Sequence, residues 1–151
     1  MRRDFLSDAS VGAQARQVAA DRAELKVTSV EVKLSLKITV WLPKGASKRV
    51  ADHEEGHRQI SEYYYKEADA IARQIAQPYL GKVVSVSGRD LHKAVNDELG
   101  KLSAEITAQY NRRLPVETTQ ARYDAITGHS LNDVAVADAI AQAIKETYPR
   151  N

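Results

Sequence analysis

The sequence predicts an α+β fold on three observations. Residues 26–42 alternate strictly between apolar and polar side chains, which marks strand. Inward positions recur at steps of three and four over 48–77, which marks a long helix. Two further helical patterns follow in the C-terminal half. With 151 residues, the chain has the length of one domain and can bury a core without disulfide or structural metal.

The elements read in order as follows. Residues 1–24 are rich in Ala, Asp, Arg and Gln, and Ala13 to Leu25 is expected to be a short helix or an ordered loop. From Val30, the residues Val32, Leu34, Leu36, Ile38, Val40 and Leu42 alternate with Glu31, Lys33, Ser35, Lys37, Thr39 and Trp41. That is one half-buried strand, or two strands of a hairpin. Trp41 falls on the polar face, either as a partly exposed aromatic over a loop or as a wall of a substrate groove. Pro43-Lys44-Gly45 ends the strand, and Ser47 is placed to cap a helix over 48–77.

Within that helix Val50, His53, His57, Ile60, Tyr64, Ala68, Ile71 and Ile75 share one face, and Pro78 stops it. Val83, Val84 and Val86 form a short strand or cover the core. Asp90 is a second candidate cap, for a helix carrying Leu91, Val95, Leu99, Leu102, Ile106 and Tyr110 and ending before Pro115. A polar loop is expected next, leading into the segment 121–130. A last helix is expected after Asn132 or Asp133, with Val136, Ile140 and Ile144 inward and its end near Pro149.

Composition excludes several chemistries. There is no cysteine, so no thiolate metal site, disulfide or thiol nucleophile exists. The formal charge is +2 with basic and acidic residues interleaved, which argues against a nucleic-acid or anionic-membrane binder. No apolar run approaches the length of a membrane span, so no transmembrane segment is expected. The start, Met1-Arg2-Arg3-Asp4-Phe5, is not followed by a hydrophobic signal region. It suits a cytoplasmic chain, or one whose signal was removed and whose Met1 is a cloning start.

The chemistry lies in His53-Glu54-Glu55-Gly56-His57. Two histidines four residues apart sit one helical turn apart on one face, and such a pair can close on one tetrahedral zinc ion. Glu54, beside that face, is placed to take a proton from zinc-bound water and pass it to a leaving amine. A pattern this short arises by chance, but here both histidines lie on the inward stripe of the longest helix, where idle polar groups are costly. The competing reading is two histidines satisfied by hydrogen bonds in a helix interface. Gly56 costs about 1 kcal/mol in a helix interior relative to Ala, which calls for a close approach by a strand or by substrate, or for a packing role.

A catalytic zinc has three protein ligands and one open position. Position 63 is Tyr, so the pattern with a third His six residues after the second fails. The remaining candidates are His129 in a Gly-containing turn, His92 beside Leu91, and the carboxylates Glu98 and Glu105 on the intervening helix.

Taken with Tyr123-Asp124-x-x-Thr127-x-His129, the segment Asp52 to Tyr65 resembles the bacterial predicted secreted zinc-dependent proteases of the DUF922 family. The resemblance covers roughly residues 25–145. It implies a single zincin-like metallopeptidase domain over residues 1–151, with a small, mostly antiparallel sheet over a long active-site helix and further C-terminal helices. It implies one Zn²⁺ per chain held by His53, His57 and His129, with Glu54 as general base, a peptide or protein substrate, and a periplasmic or secreted location with the signal removed. That family usually has Gly after the third His, where this chain has Ser130, and its usual Gln and Trp in the following helix are not evident here. Within the second motif, Asp124 is expected to accept a hydrogen bond from a ligand His and fix its tautomer, or to cap a turn. Tyr123 is expected to donate to the oxyanion of a tetrahedral intermediate, or to be a core tyrosine. A zinc-stabilised binding or assembly module without turnover is the alternative, and a fourth protein ligand such as His92 or Glu98 would favour it.

Overall fold

The computed structural model describes residues 2–148, with side chains from Asp8 onward. It is α+β, with one three-stranded antiparallel sheet. In chain order the elements are β1 (Arg2–Ala19), β2 (Arg22–Thr39), α1 (Lys48–Ala76), a 3-10 turn (Gln77–Tyr79), β3 (Val83–Ser87), α2 (Leu91–Arg113), α3 (Val116–Thr127) and α4 (Val136–Thr147). None of the helices is long and apolar enough to cross a membrane, among the described residues. Pro149 lies outside those residues.

The chain packs as two compact units. One contains Ser35–Ala68 and the chain from Arg113 onward; the other comprises Leu6–Leu34 and Asp69–Arg112. Both β2 and α1 contribute residues to each.

The second unit holds most of the sheet, in the order β1-β2-β3. Ala20 and Asp21 are all that separates β1 from β2, so the two pair as an antiparallel hairpin. The expectation of a helix or loop over Ala13 to Leu25 is therefore corrected: these residues are strand on both sides of a tight turn. Their Ala- and Arg-rich composition is helix-compatible, but pairing along an 18-residue partner overrides so weak a preference. On its other side β2 pairs antiparallel with β3, from Arg22 opposite Ser87 to Lys26 opposite Val83. Ala23, Leu25 and Val86 make a small core, with Ala13 from β1 and Leu91, Ala94, Val95 and Leu99 of α2 packed on it. The helix packed on this part of the sheet is α2. The C-terminal turns of α1 instead line a groove beside β2, with Ala72 and Ala76 facing Val30 and Val32. Asp90 caps α2 through its carboxylate, which accepts from the Lys93 N–H at 3.0 Å.

The expected alternation in β2 holds from Val30 to Ile38, with odd positions exposed and even ones half-buried, although the strand starts four residues earlier than read and ends at Thr39. Trp41 lies beyond it and is 66% exposed.

The first unit is helical apart from its strand segments. Ser47 caps α1, its hydroxyl accepting from the Val50 N–H at 3.3 Å. The predicted inward stripe is observed, and Ile60, Tyr64 and Ala68 are fully buried. The polar loop expected after Pro115 is instead helix α3. Its inward positions are Val116, Thr119, Gln120, Tyr123 and Thr127, mostly polar, so hydrophobic periodicity does not reveal it. Thr119 joins the helices, meeting the Tyr64 hydroxyl at 2.8 Å and the Thr147 hydroxyl. The inward face of α4 also differs from expectation. Ala139 and Ala143 are the buried residues, while Ile140 and Ile144 line an open groove with Gln59, Glu62, Tyr63 and Lys66 of α1. Small side chains at the contact allow close helix packing, and they displace the larger ones to its rim.

Candidate metal centre

The first unit gathers the candidate ligands. His53 and His57 project from α1 and are each 7% exposed. Their Nε2 atoms stand 3.2 Å apart. From the last turn of α3, Asp124 Oδ1 lies 2.9 Å from His57 Nε2 and 3.2 Å from His53 Nε2. His129 follows α3, and its Nδ1 is 3.5 Å from the same oxygen. One ligand atom each from His53, Asp124 and His129 lies within 4.8 Å of the others.

These spacings can be tested against a metal. Zinc bound at about 2.0–2.1 Å by nitrogen or oxygen sets ligand atoms about 3.3–3.4 Å apart along the edges of a tetrahedron. Four separations among these atoms, 2.9, 3.2, 3.2 and 3.5 Å, bracket that edge, while His57 is not among the residues that close to within 4.8 Å together with His129. In donor type, imidazole and carboxylate, the residues fit the ion.

A tight contact aligns the two helices that carry the donors. The Tyr123 ring is stacked on His53 at 5.1 Å and meets His57 edge-on at 4.9 Å. It lies directly over Gly56, where an added Cβ would fall 2.1 Å from the Tyr123 hydroxyl oxygen. The glycine in the motif is therefore explained by a side chain from α3, not by a strand or substrate. The Tyr123 hydroxyl is buried and donates to the His53 carbonyl at 3.3 Å. Burial, and then the charges of Asp124, Glu54 and Asp52, push its pKa up to about 12. It stays protonated and committed to backbone, in keeping with the core reading of this tyrosine: Tyr123 packs against and aligns the histidine pair.

Asp124 faces the Nε2 atoms that point into the cluster, at hydrogen-bond distance from both, and so sits among the candidate donors. The outward Nδ1 atoms have other partners, Gln120 for His57 at 2.5 Å and Thr127 for His53 at 3.3 Å. Thr127 in turn donates to the Tyr123 carbonyl at 2.8 Å. Gln120 and Thr127 had no role in the sequence reading. With Tyr123 they recur at steps of three and four, a signal that reading 116–127 as helix would have exposed.

The ligand turn is conformationally costly. Gly128, His129 and Ser130 all have positive φ, at 54°, 52° and 71°. The strain is held by bonds around it. The Asn132 N–H donates to the Thr127 carbonyl and its amide to the Ile126 carbonyl, both at 2.9 Å, and Arg49 of α1 reaches the Leu131 carbonyl at 3.0 Å. That last bond ties the His129 turn to the first turn of the helix carrying His53. His129 itself is 78% exposed.

The two adjacent glutamates separate by surroundings. Glu55 is held by Arg58 at 2.5 Å and by Gln59 at 3.2 Å, which lowers its pKa to about 2. Glu54 is half-buried and acts electrostatically on His53 and Tyr123. Burial, and then repulsion by His57, lower the His53 pKa, while Asp124 and Glu54 oppose the shift. The net direction favours the neutral imidazole, which is the form that binds metal.

His92, Glu98 and Glu105 belong to α2 in the second unit. His92 is exposed and bonds Asn96, and Glu98 approaches Lys101. No known family model matches the chain, and no curated protein or solved structure does.

Two outcomes test this geometry. Gly56→Ala, which ordinarily stabilises a helix, is expected to destabilise the protein by about 1–3 kcal/mol in chemical denaturation, because the new methyl drives into Tyr123. Ser130→Gly is expected to stabilise it by about 0.5–1 kcal/mol by relieving a left-handed non-glycine residue. A loss of melting temperature there would contradict the strained turn.

Proposed function

We propose that this chain is a zinc-dependent metallopeptidase, with His53, His57 and His129 as zinc ligands and Glu54 as the general base. The observation that carries the reading is the gathering of His53 Nε2, His57 Nε2 and His129 Nδ1 around Asp124 Oδ1, at 3.2, 2.9 and 3.5 Å from that oxygen. The His-Glu-x-x-His pattern and the later Tyr-Asp-x-x-Thr-x-His pattern support it as features of the DUF922 resemblance. A zincin-like fold belongs to the same proposal, supported by a long motif-bearing helix and an antiparallel sheet in one chain. So do a peptide or protein substrate and a periplasmic or extracellular location.

Zinc held here would polarise a substrate carbonyl and lower the pKa of water toward about 7. The chain's own contribution is then specific. Glu54 takes the proton from the attacking water and returns it to the departing amine. Tyr123 holds the two imidazoles parallel and edge-on, and the 128–130 turn presents His129. Asp124 yields the fourth position to the reacting groups.

Asp124 also favours a second reading. If its carboxylate remains as fourth ligand, the zinc is closed and the chain is a zinc-stabilised binding or assembly module. Cobalt-substituted protein separates the two: a peptide hydroxamate shifts the visible spectrum of an open site and leaves that of a closed site unchanged.

Metal analysis of purified protein is expected to give about one zinc per chain, lost in His57→Ala. Glu54→Gln is expected to retain zinc and to lose at least about 100-fold in cleavage of quenched fluorescent peptides. Wild-type protein that never takes up zinc would sink the reading, and cleavage surviving in Glu54→Gln would remove Glu54 from the mechanism.

A further inference from the structure

Gln120 grips His57 at two points. It is 1% exposed on α3, and its side-chain amide faces the ring and the backbone of that one residue. Gln120 Nε2 donates to the His57 carbonyl at 3.0 Å and to Ser61 Oγ at 2.9 Å. Both acceptors are unambiguous. A carbonyl oxygen only accepts, and Ser61 Oγ has its own proton engaged with the same carbonyl at 3.0 Å. Reversing the amide would set its oxygen against the His57 carbonyl oxygen, acceptor to acceptor. The amide orientation is therefore determined, and Gln120 Oε1 is the atom 2.5 Å from His57 Nδ1.

An amide oxygen cannot donate, so His57 Nδ1 must carry a proton. The other ring nitrogen, Nε2, is the one facing His53 Nε2 and Asp124 Oδ1. Asp124 Oδ1 is 2.9 Å away and a carboxylate only accepts, so without a metal Nε2 donates to it, and a bound metal takes the place of that proton. Which ring nitrogen is free to bind metal is decided by the hydrogen bond that the other one makes.

We propose that Gln120 is a positioning residue that keeps a proton on His57 Nδ1 and so leaves Nε2 as the nitrogen presented to the cluster. Ser61 supports it from behind by fixing the amide. The Nδ1 proton follows from the hydrogen bonds to Gln120; its consequence for affinity rests on the zinc reading.

The proton is located without metal, from long-range ¹H–¹⁵N correlations of the imidazoles in ¹⁵N-labelled, metal-free protein. Wild type is expected to show a protonated Nδ1 at His57. Gln120→Met, similar in size but without the acceptor, is expected to lose the Nδ1 proton and to weaken zinc binding by about 10- to 100-fold in chelator competition. Gln120→Glu keeps an acceptor at the same place and is expected to retain the Nδ1 proton and most of the affinity. A merely structural role predicts no change at Nδ1 in either variant. The proposal is overturned if Nδ1 of wild-type His57 is bare, if Gln120→Met leaves the Nδ1 proton in place, or, should that variant fail to fold, if Gln120→Glu shows a bare Nδ1. A protein that binds no zinc but shows the expected change at Nδ1 would retire the zinc reading and leave the positioning role in place.

Discussion

The contact between Gly56 and Tyr123 governs the geometry of the candidate site. A glycine on α1 lets an aromatic ring from α3 sit where any side chain would collide. That approach puts the ring against both histidines. It also brings the residues on either side of Tyr123 into range: Gln120 meets His57, Asp124 meets both Nε2 atoms, and Thr127 meets His53. Two turns of α3 thus supply the packing surface, the partners of the outward nitrogens and a fourth donor. A methyl group at position 56 would disturb all of them together.

The polar groups so gathered are expensive to bury, and their arrangement offsets that cost. Each histidine is nearly buried and has its outward nitrogen hydrogen-bonded. Burial and mutual repulsion disfavour a charged His53. The third histidine differs. It is exposed and carried by a strained turn, and that turn is tied to α1 through Arg49.

Much of this was legible in the residues because burial drives it. The stripe from Val50 to Ile75 announced α1 and placed both histidines inward, and alternation announced β2. Capping by Ser47 and Asp90 followed from local chemistry. What escaped has a common cause. Positions 10–18 of β1 expose most of their side chains, so their strand character comes from pairing with β2 and leaves little pattern in the chain. Helix α3 buries Thr119, Gln120 and Thr127, which a hydrophobic period does not register. Reading 116–120 as loop hid Gln120, while Gly56 was recognised as requiring a close neighbour whose identity only the tertiary packing supplied. Ala139 and Ala143 escaped because small residues win the tightest helix contact in spite of their low hydrophobicity.

The central claim is that these donors surround one metal ion. A crystal of zinc-supplemented protein, with diffraction recorded on both sides of the zinc absorption edge, tests it most directly. The account predicts one anomalous peak about 2.0–2.1 Å from the Nε2 atoms of His53 and His57, with His129 completing the protein ligands and Asp124 either bound or displaced. Two histidines without a peak between them, their Nε2 atoms still bonded to Asp124, would contradict it.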